Sequence, residues 1–343
     1  MKGDVRKRFS VKRLALLLCA LGMALALFRS SKPVAAQQTF PSVPFGQLGQ
    51  TGSWQLLMQD GFSSPLLGGS SYVRDAAGQM VQKPIWVTCA WHTYTALQST
   101  PDEGCTHMRP IVDTDEDQIH LPRNVLPGRP VPWAADGLAL QLRLVREDHT
   151  PSIGRYAGRT FHWTGGMVST GGYAGVEPAG FYCPAGVVCA YEARLQRITG
   201  EGVATLSRND GYGTDYAAWA IPADPYSDWQ KPESDFYEFD GEEALESHDV
   251  AWNWLNSNGV RKYKIVHHTL AAPTEPHWFA TVMEPGVVIW YVDGVEIGRF
   301  AQEQVATRNM FVQFTMGAFH PDERTVSPIY FTIDEVRAWQ LLP

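Results

Sequence analysis

The segment Val287-Val288-Ile289-Trp290-Tyr291-Val292-Asp293-Gly294-Val295-Glu296-Ile297 decides the fold class of this chain. Six β-branched or aromatic residues lead into Asp293-Gly294, and a second strand-like run follows directly. Asp-Gly is typical of a type I′ turn, because both of its central residues need a positive φ. The segment therefore predicts a β-hairpin.

The same two-residue period recurs elsewhere in the chain. Leu138, Leu140, Leu142 and Leu144 alternate with Ala139, Gln141 and Arg143, and Ile329, Phe331 and Ile333 alternate near the C-terminus. No window of 12 residues beyond the first 36 shows a helical period. With 31 Gly and 23 Pro available for turns, the pattern predicts an all-β sandwich or jelly roll.

The first 36 residues have the composition of a signal peptide. A basic stretch ending at Arg13 precedes the apolar run Leu14 to Phe28, and Val34-Ala35-Ala36 offers small residues for cleavage. Retention of this segment as a membrane anchor is the alternative. We expect export to the periplasm or the medium, a leader strap over residues 37–52 and one domain over residues 53–343.

Removal of the signal peptide makes the protein strongly acidic. The first 36 residues contain eight Lys and Arg and one Asp, which leaves 20 basic and 35 acidic residues, a net charge of −15. Such a charge disfavours nucleic acid, anionic membranes and sulfated polysaccharides as partners.

Four cysteines remain after processing. Exported proteins with an even number of cysteines usually form disulfides. We favour the local pairs Cys89–Cys105 and Cys183–Cys189 among the three connectivities, because each closes a short loop with Gly or Pro. Zinc at Cys89 with His92 and His107 is the alternative, although the spacing matches no zinc motif.

Four carboxylates crowd into the hexapeptide Glu238-Phe239-Asp240-Gly241-Glu242-Glu243. On a strand, Glu238 and Asp240 share a face, and a bulge at Gly241 would bring Glu243 rather than Glu242 onto it. Clustered carboxylates raise one another's pKa, which separates an ionised nucleophile from a protonated acid in retaining glycosidases. A capped surface helix that begins at Asp240 is the structural alternative.

Tryptophans flank this cluster on both sides. Sugar rings stack on exposed aromatic side chains, whereas most tryptophans belong to cores. We expect two of four candidates to line a cleft: Trp219, Trp229, Trp252 and Trp254.

Several segments in order resemble glycoside hydrolase family 16, the laminarinase, agarase and lichenase group. The hexapeptide matches the family's E-x-D-x-x-E motif. The other similar segments are Asp60-Gly61-Phe62, Thr164 to Thr170, Tyr191-Glu192-Ala193-Arg194, Ala217-Ala218-Trp219, Phe279 to Gly294 and Ile333 to Arg337. The resemblance implies a concanavalin A-like jelly roll of two antiparallel sheets with an open concave cleft. Asp215 departs from the family pattern, which has a substrate-stacking Trp there.

The resemblance also implies roles for the acids. Glu238 would be the nucleophile, Asp240 its neighbour that sets the pKa difference, and Glu243, or Glu242 on a flat strand, the acid and base. The enzyme would act as a monomer on a polysaccharide and would require no cofactor. The resemblance also allows a structural Ca²⁺ near Asp60 and Asp334, as occurs in relatives. A lectin-like binder and a transglycosylase are the rival functions.

Overall fold

The computed structural model describes residues 41, 44–46, 48–49, 51–88, 118–152, 157–171, 180–200, 212–222, 232–240, 247–255, 261–272 and 275–343. For residues 197–200, 240, 247, 254, 255 and 261 it describes the backbone alone. Residues 42–343 belong to one compact unit. In this described part of the chain, no helix has the length and hydropathy that a membrane crossing requires.

Strands account for 60% of the described residues and helices for 1%, which confirms the all-β prediction. The one short 3-10 helix that is described is Pro122–Asn124. The strands are β1 (Ser53–Asp60), β2 (Tyr72–Arg74), β3 (Met80–Gln82), β4 (Val87–Thr88), β5 (Gln118–His120), β6 (Val125–Pro130), β7 (Leu138–His149), β8 (Phe161–Ser169), β9 (Cys189–Gly200), β10 (Thr214–Pro222), β11 (Glu233–Asp240), β12 (Ser247–Leu255), β13 (Arg261–Thr269), β14 (His277–Glu284), β15 (Val287–Val292), β16 (Val295–Ala301), β17 (Met310–Ala318) and β18 (Ile329–Leu342).

Two antiparallel sheets form the molecule. Sheet A has the order β3-β2-β1-β18-β9-β14-β15-β16, and β7 with β6 joins the same edge of β18 as β1. Sheet B has the order β13-β12-β11-β10-β17-β8, with β4 on β8. The second half of β7 pairs with β8, so this strand connects the two sheets, and β5 runs parallel to β8.

The hairpin predicted from the sequence is confirmed. Asp293 and Gly294 connect β15 to β16 with φ values of 49° and 78°, as a type I′ turn requires. The period-two segment is confirmed as β7, where Leu140, Leu142 and Leu144 are buried.

The core lies between the sheets and is rich in aromatic rings. Tyr237 of sheet B stacks on Phe331 of sheet A with ring centroids 5.8 Å apart, and Tyr216 lies 5.2 Å from the same ring. A hydrogen bond between Ser234 and Thr281 also crosses from one sheet to the other. These contacts identify the core-facing side of sheet B, and therefore also its outer side.

One of the two predicted disulfides is present. Cys183 and Cys189 form a disulfide with a Cα–Cα distance of 5.9 Å. Both cysteines are buried, and Cys183 exchanges backbone hydrogen bonds with Met310 at the start of β17. The disulfide therefore fastens β9 to the segment that packs on β17. Cys89, Cys105, His92 and His107 lie outside the described residues.

Candidate active site

Strand β11 lies in the middle of sheet B and carries the predicted nucleophile. Tyr237 and Phe239 point into the core, and Glu238 between them points to the opposite face and is half-buried. We call this outer face the cleft face. On β10 to β13, it includes Asp215, Ala217, Trp219, Asp235, Glu238, Asp249, Ala251, Asn253, Tyr263, Ile265 and His267.

A β-bulge in β11 sets the position of Glu238. Asp235 and Glu238 pair with Ala251 and Asp249 of β12, so three steps on β11 oppose two on β12. The pairing with β10 shifts at the same place. Phe236 and Tyr237 are therefore both buried in the core, and Asp235 and Glu238 both reach the cleft face.

The neighbours of Glu238 differ on its two sides. Ala217 of β10 is its register partner on one side, and Asp249 of β12 on the other. Register partners in an antiparallel pair have Cβ atoms roughly 5 Å apart, so Ala217 places only a methyl group beside Glu238, whereas Asp249 brings a second carboxylate close. Asp249 Oδ1 lies 2.6 Å from Nδ1 of His267 on β13. His267 therefore lies against the carboxylate that borders Glu238.

Other predicted acids are placed only in part. The backbone of Asp240 pairs with that of Asp215 on β10, two residues beyond Glu238. Glu242, Glu243 and the expected bulge at Gly241 lie outside the described residues, and so does Trp229. The distance between the two working carboxyl groups therefore stays a prediction.

The described tryptophans have different surroundings. Trp219 lies on the cleft face but is only 5% exposed, because it packs with Ile221, Phe311 and Tyr182 in a small outer cluster. Trp252 is fully buried in the core between the sheets. Trp252 has no surface on which a sugar could stack, so its expected role in substrate binding is replaced by a role in packing. For Trp254, two residues further along β12, only the backbone is described.

Sequence reasoning missed several polar residues of the cleft face. Two of them are Asp249 and His267. Strand periodicity alone would have placed Asp249 on the same face as Ala251, opposite to the face of Val250 and Trp252. Gln313 of β17 is a third. It lies between Trp219 and Ser169 in the register, is fully buried, and neither end of its amide has a hydrogen-bond partner in the described part of the chain. An unpaired buried amide is costly, which makes Gln313 a candidate for a bound water or a substrate hydroxyl.

The residues expected near calcium have other partners here. Asp60 accepts hydrogen bonds from the backbone N–H of Phe62, from Ser70 and Ser71, and from Trp86, at 2.5 to 2.8 Å. Burial raises the pKa of Asp60, and these donors act against that shift. Asp334 lies 3.0 Å from the guanidinium of Arg194, and burial raises its pKa to about 6. The described residues contain no group of three or more His, Cys, Asp or Glu side chains that could hold a metal ion.

Comparison with solved structures places this architecture among glycan-cleaving enzymes. The endo-β-1,3-glucanase from Pyrococcus furiosus is similar with a TM-score of 0.59 and 17% identity, over 88% of this chain and 99% of that one. Porphyranase B from Zobellia galactanivorans gives a TM-score of 0.56 and 14% identity, over 88% and 100%. The laminarinase catalytic domain from Thermotoga petrophila RKU-1 gives 0.54 and 17%, over 85% and 100%. The chain has the fold of these endo-glycanases.

This likeness confirms the jelly-roll fold that the sequence resemblance implied. At these identities the likeness concerns the fold, and the chemistry has to be argued from the residues of this chain. No protein-family profile matches the sequence, and no curated protein matches it either.

Proposed function

We propose that this protein is a secreted, endo-acting, retaining β-glycosidase of glycoside hydrolase family 16 that cleaves a neutral polysaccharide. The observation that supports this most is the position of Glu238. It lies on the outer face of the central strands of a sheet, in a fold shared with endo-glycanases, and starts the E-x-D-x-x-E motif. A carboxylate at that place can attack the anomeric carbon of a sugar that is bound on the cleft face.

The proposed mechanism is a double displacement. Glu238 attacks the anomeric carbon and the glycosidic bond breaks, while Glu243 donates a proton to the leaving oxygen. Glu243 then removes a proton from water, and this water attacks the anomeric carbon of the glycosyl-enzyme. The attack frees Glu238 and gives a sugar with the original anomeric configuration. Retention requires the two carboxyl groups to stand about 5–5.5 Å apart. In this proposal Asp240 hydrogen-bonds near Glu238 and helps to set the difference in pKa between Glu238 and Glu243.

Charge and compartment support the choice of substrate and location. The net charge of −15 beyond residue 36 penalises sulfated chains, so we rank β-1,3-glucan first and agar-type galactan second. The Cys183–Cys189 disulfide is in keeping with an oxidising compartment outside the cytoplasm. Trp219 is the described tryptophan that we retain as a substrate neighbour.

Release of reducing ends from laminarin, lichenan, agar, carrageenan and xyloglucan tests this function. Glu238→Gln should lower hydrolysis at least a thousandfold and leave circular dichroism unchanged, because the amide has the same shape but cannot attack. Glu303→Gln, the same change on an exposed loop residue, is the matched control and should keep full activity. Activity of Glu238→Gln within tenfold of the wild type would contradict the assignment of the nucleophile.

Substrates with different leaving groups identify the acid. Glu243→Ala should abolish polymer cleavage, still form the glycosyl-enzyme from an activated aryl glycoside and be rescued by azide, because such a leaving group needs no proton. Glu242→Ala should keep most activity. If Glu242→Ala shows this behaviour instead, the strand runs flat and Glu242 is the acid. Binding without cleavage by the wild type would favour a lectin, and longer products would favour a transglycosylase.

A further inference from the structure

The cleft face is covered on one side of Glu238 and open on the other. Ala217 and Trp219 on β10 and Thr315 on β17 are all buried. On β13, by contrast, Tyr263 is 58% exposed and Ile265 is 42% exposed. Within the described residues, a long molecule that lies over Glu238 therefore finds an accessible surface on the β13 side.

The register places these exposed side chains on the same face as Glu238. Asp249, Ala251 and Asn253 of β12 pair with His267, Ile265 and Tyr263 of β13. The intervening residue Val266 packs against the core. Side chains two residues apart on a strand share a face, so Tyr263, Ile265 and His267 form one row on the cleft face. We call these three residues the β13 row.

The ring of Tyr263 lies on a different sheet from the other exposed aromatic ring of the described residues. Among the described residues, the large hydrophobic side chains that are exposed include two aromatic rings, Phe45 and Tyr263. Phe45 belongs to the other side of the molecule, where it stacks on Trp278 of sheet A at 5.3 Å. Tyr263 is therefore the exposed aromatic ring on the face that carries the nucleophile.

A polar pair lies beside Glu238, on the side of β13. Asp249 is in register with Glu238 and holds His267, whose side chain is 70% exposed. Ring faces that stack on C–H groups, combined with a few fixed polar groups that bind hydroxyls, are the usual composition of a sugar-binding surface.

We propose that the β13 row, together with Asp249, binds distal sugar rings of the same glycan chain that Glu238 cleaves. This inference rests on the proposed function. Adjacent strands are roughly 4.8 Å apart, which puts β13 about 10 Å from β11, and Tyr263 lies about 13 Å further along its strand than His267. The β13 row therefore contacts sugars beyond the one that Glu238 attacks. His267 contacts a nearer sugar and Tyr263 a more distant one.

Oligosaccharide length distinguishes this subsite from a structural effect. Affinities for β-1,3-gluco-oligosaccharides of increasing length are measured in the Glu238→Gln background, which prevents turnover. Tyr263→Ala should weaken binding of the long oligosaccharides by about fivefold to tenfold and leave the shortest unchanged, and Tyr263→Phe should bind like the parent. His267→Ala should show its loss at a shorter length than Tyr263→Ala.

Val295→Ala on β16 is the control, because Val295 is exposed on sheet A, and it should bind all lengths like the parent. A loss in Tyr263→Ala that is equal at every length, or no loss at all, would overturn the proposal. A change in sedimentation without a change in glycan affinity would overturn it in favour of contact between two copies of the chain.

The two proposals fail in different ways. If the wild type binds glycans without cleaving them, and the length dependence of Tyr263→Ala holds, the hydrolase assignment fails and the subsite stands. If the wild type cleaves glycans and Tyr263→Ala cleaves long and short chains in the parent's ratio, the subsite fails and the hydrolase assignment stands.

Discussion

At the scale of single residues, Trp252 shows how strand parity separates packing from binding. Its indole is fully buried, and the indole N–H has no hydrogen-bond partner in the described part of the chain. Trp252 alternates with Ala251 and Asn253, which face the cleft, and shares the core side with Val250. Its contribution should therefore appear in the free energy of unfolding.

Trp252→Ala should lower the free energy of unfolding by roughly 3–5 kcal/mol, since it leaves a large cavity between the sheets. Urea denaturation followed by fluorescence measures this loss. Tyr263→Ala on the adjacent strand is the control and should change stability by less than about 0.5 kcal/mol, because its ring is exposed. A loss below about 1 kcal/mol for Trp252→Ala would show that the indole is not part of the core.

The sequence predicted which side of its strand Glu238 occupies, but not its neighbours. Alternation alone sets Glu238 opposite Tyr237 and Phe239. Asp249 and His267 become its neighbours through strand register, and the bulge at Phe236 and Tyr237 shifts that register by one residue. Neither phenylalanine nor tyrosine is a residue type that indicates a bulge, so the position of Asp249 and His267 beside Glu238 could not be predicted.

At the scale of elements, the β15–β16 turn carries a charged pair that fixes the start of β14. Asp293 Oδ2 lies 2.6 Å from Nδ1 of His277, and Nε2 of His277 lies 2.8 Å from the carbonyl oxygen of Ala272. Both ring nitrogens therefore face acceptors, which favours the protonated imidazole. The hydrogen bond to Asp293 raises the pKa of His277. Partial burial would raise the pKa of Asp293, but the bonds from His277 and the Trp278 N–H outweigh it and lower that pKa.

The pair should make stability depend on pH. The contribution of His277 is fully present below its unfolded pKa of about 6.5 and is lost as the pH rises through the higher folded value. The contribution of Asp293 is present above its unfolded pKa of about 3.9 and is lost as the pH falls through its lower folded value. We expect the urea midpoint to fall as the pH is raised from about 6 to about 9.

Asp293→Asn is the matched variant, because Asn also tolerates the positive φ of 49° at this position. It should lose most of this slope while keeping the hairpin. A slope equal to that of the wild type would assign the dependence to other groups.

The hairpin itself was predictable, because its turn residues and its two strands are contiguous in the sequence. The partners of its strands were not. β14 separates β15 from β9, and β18 pairs with β9, β1 and β7 at sequence separations that no local pattern encodes. Long-range pairing depends on the total burial of both sheets, which only the folded chain determines.

At the scale of the whole molecule, two hydrogen bonds fasten the strap that precedes β1 to sheet A. The backbone N–H of Phe45 donates to Glu192 at 2.8 Å, and Tyr291 donates to the carbonyl of Leu48 at 2.8 Å. The side chain of Leu48 is buried. Burial raises the pKa of Glu192, and Arg337 and Trp339 act against that shift. The strap thus supplies one of the donors that hold a buried carboxylate.

A mature chain that starts at Thr51 should lose roughly 2–4 kcal/mol of stability, from the burial of Leu48 and the lost donor to Glu192. Thermal unfolding of the two forms measures the difference. Phe45→Ala keeps the backbone donor and should cost less than the truncation. Equal stability of the truncated and full forms would show that the strap docks without contributing to folding.

The position of β13 at the edge of sheet B also affects solubility. Among the described strands β13 pairs with β12, which makes it the edge strand of sheet B in this part of the chain. Such an edge invites pairing with the same edge of another molecule, and natural sheets oppose this with charged side chains, lysine above all. Lys262 and Lys264 are exposed and alternate with the β13 row. One face of this strand can therefore stay uncovered for a ligand because the other face carries the like charges that keep two copies apart.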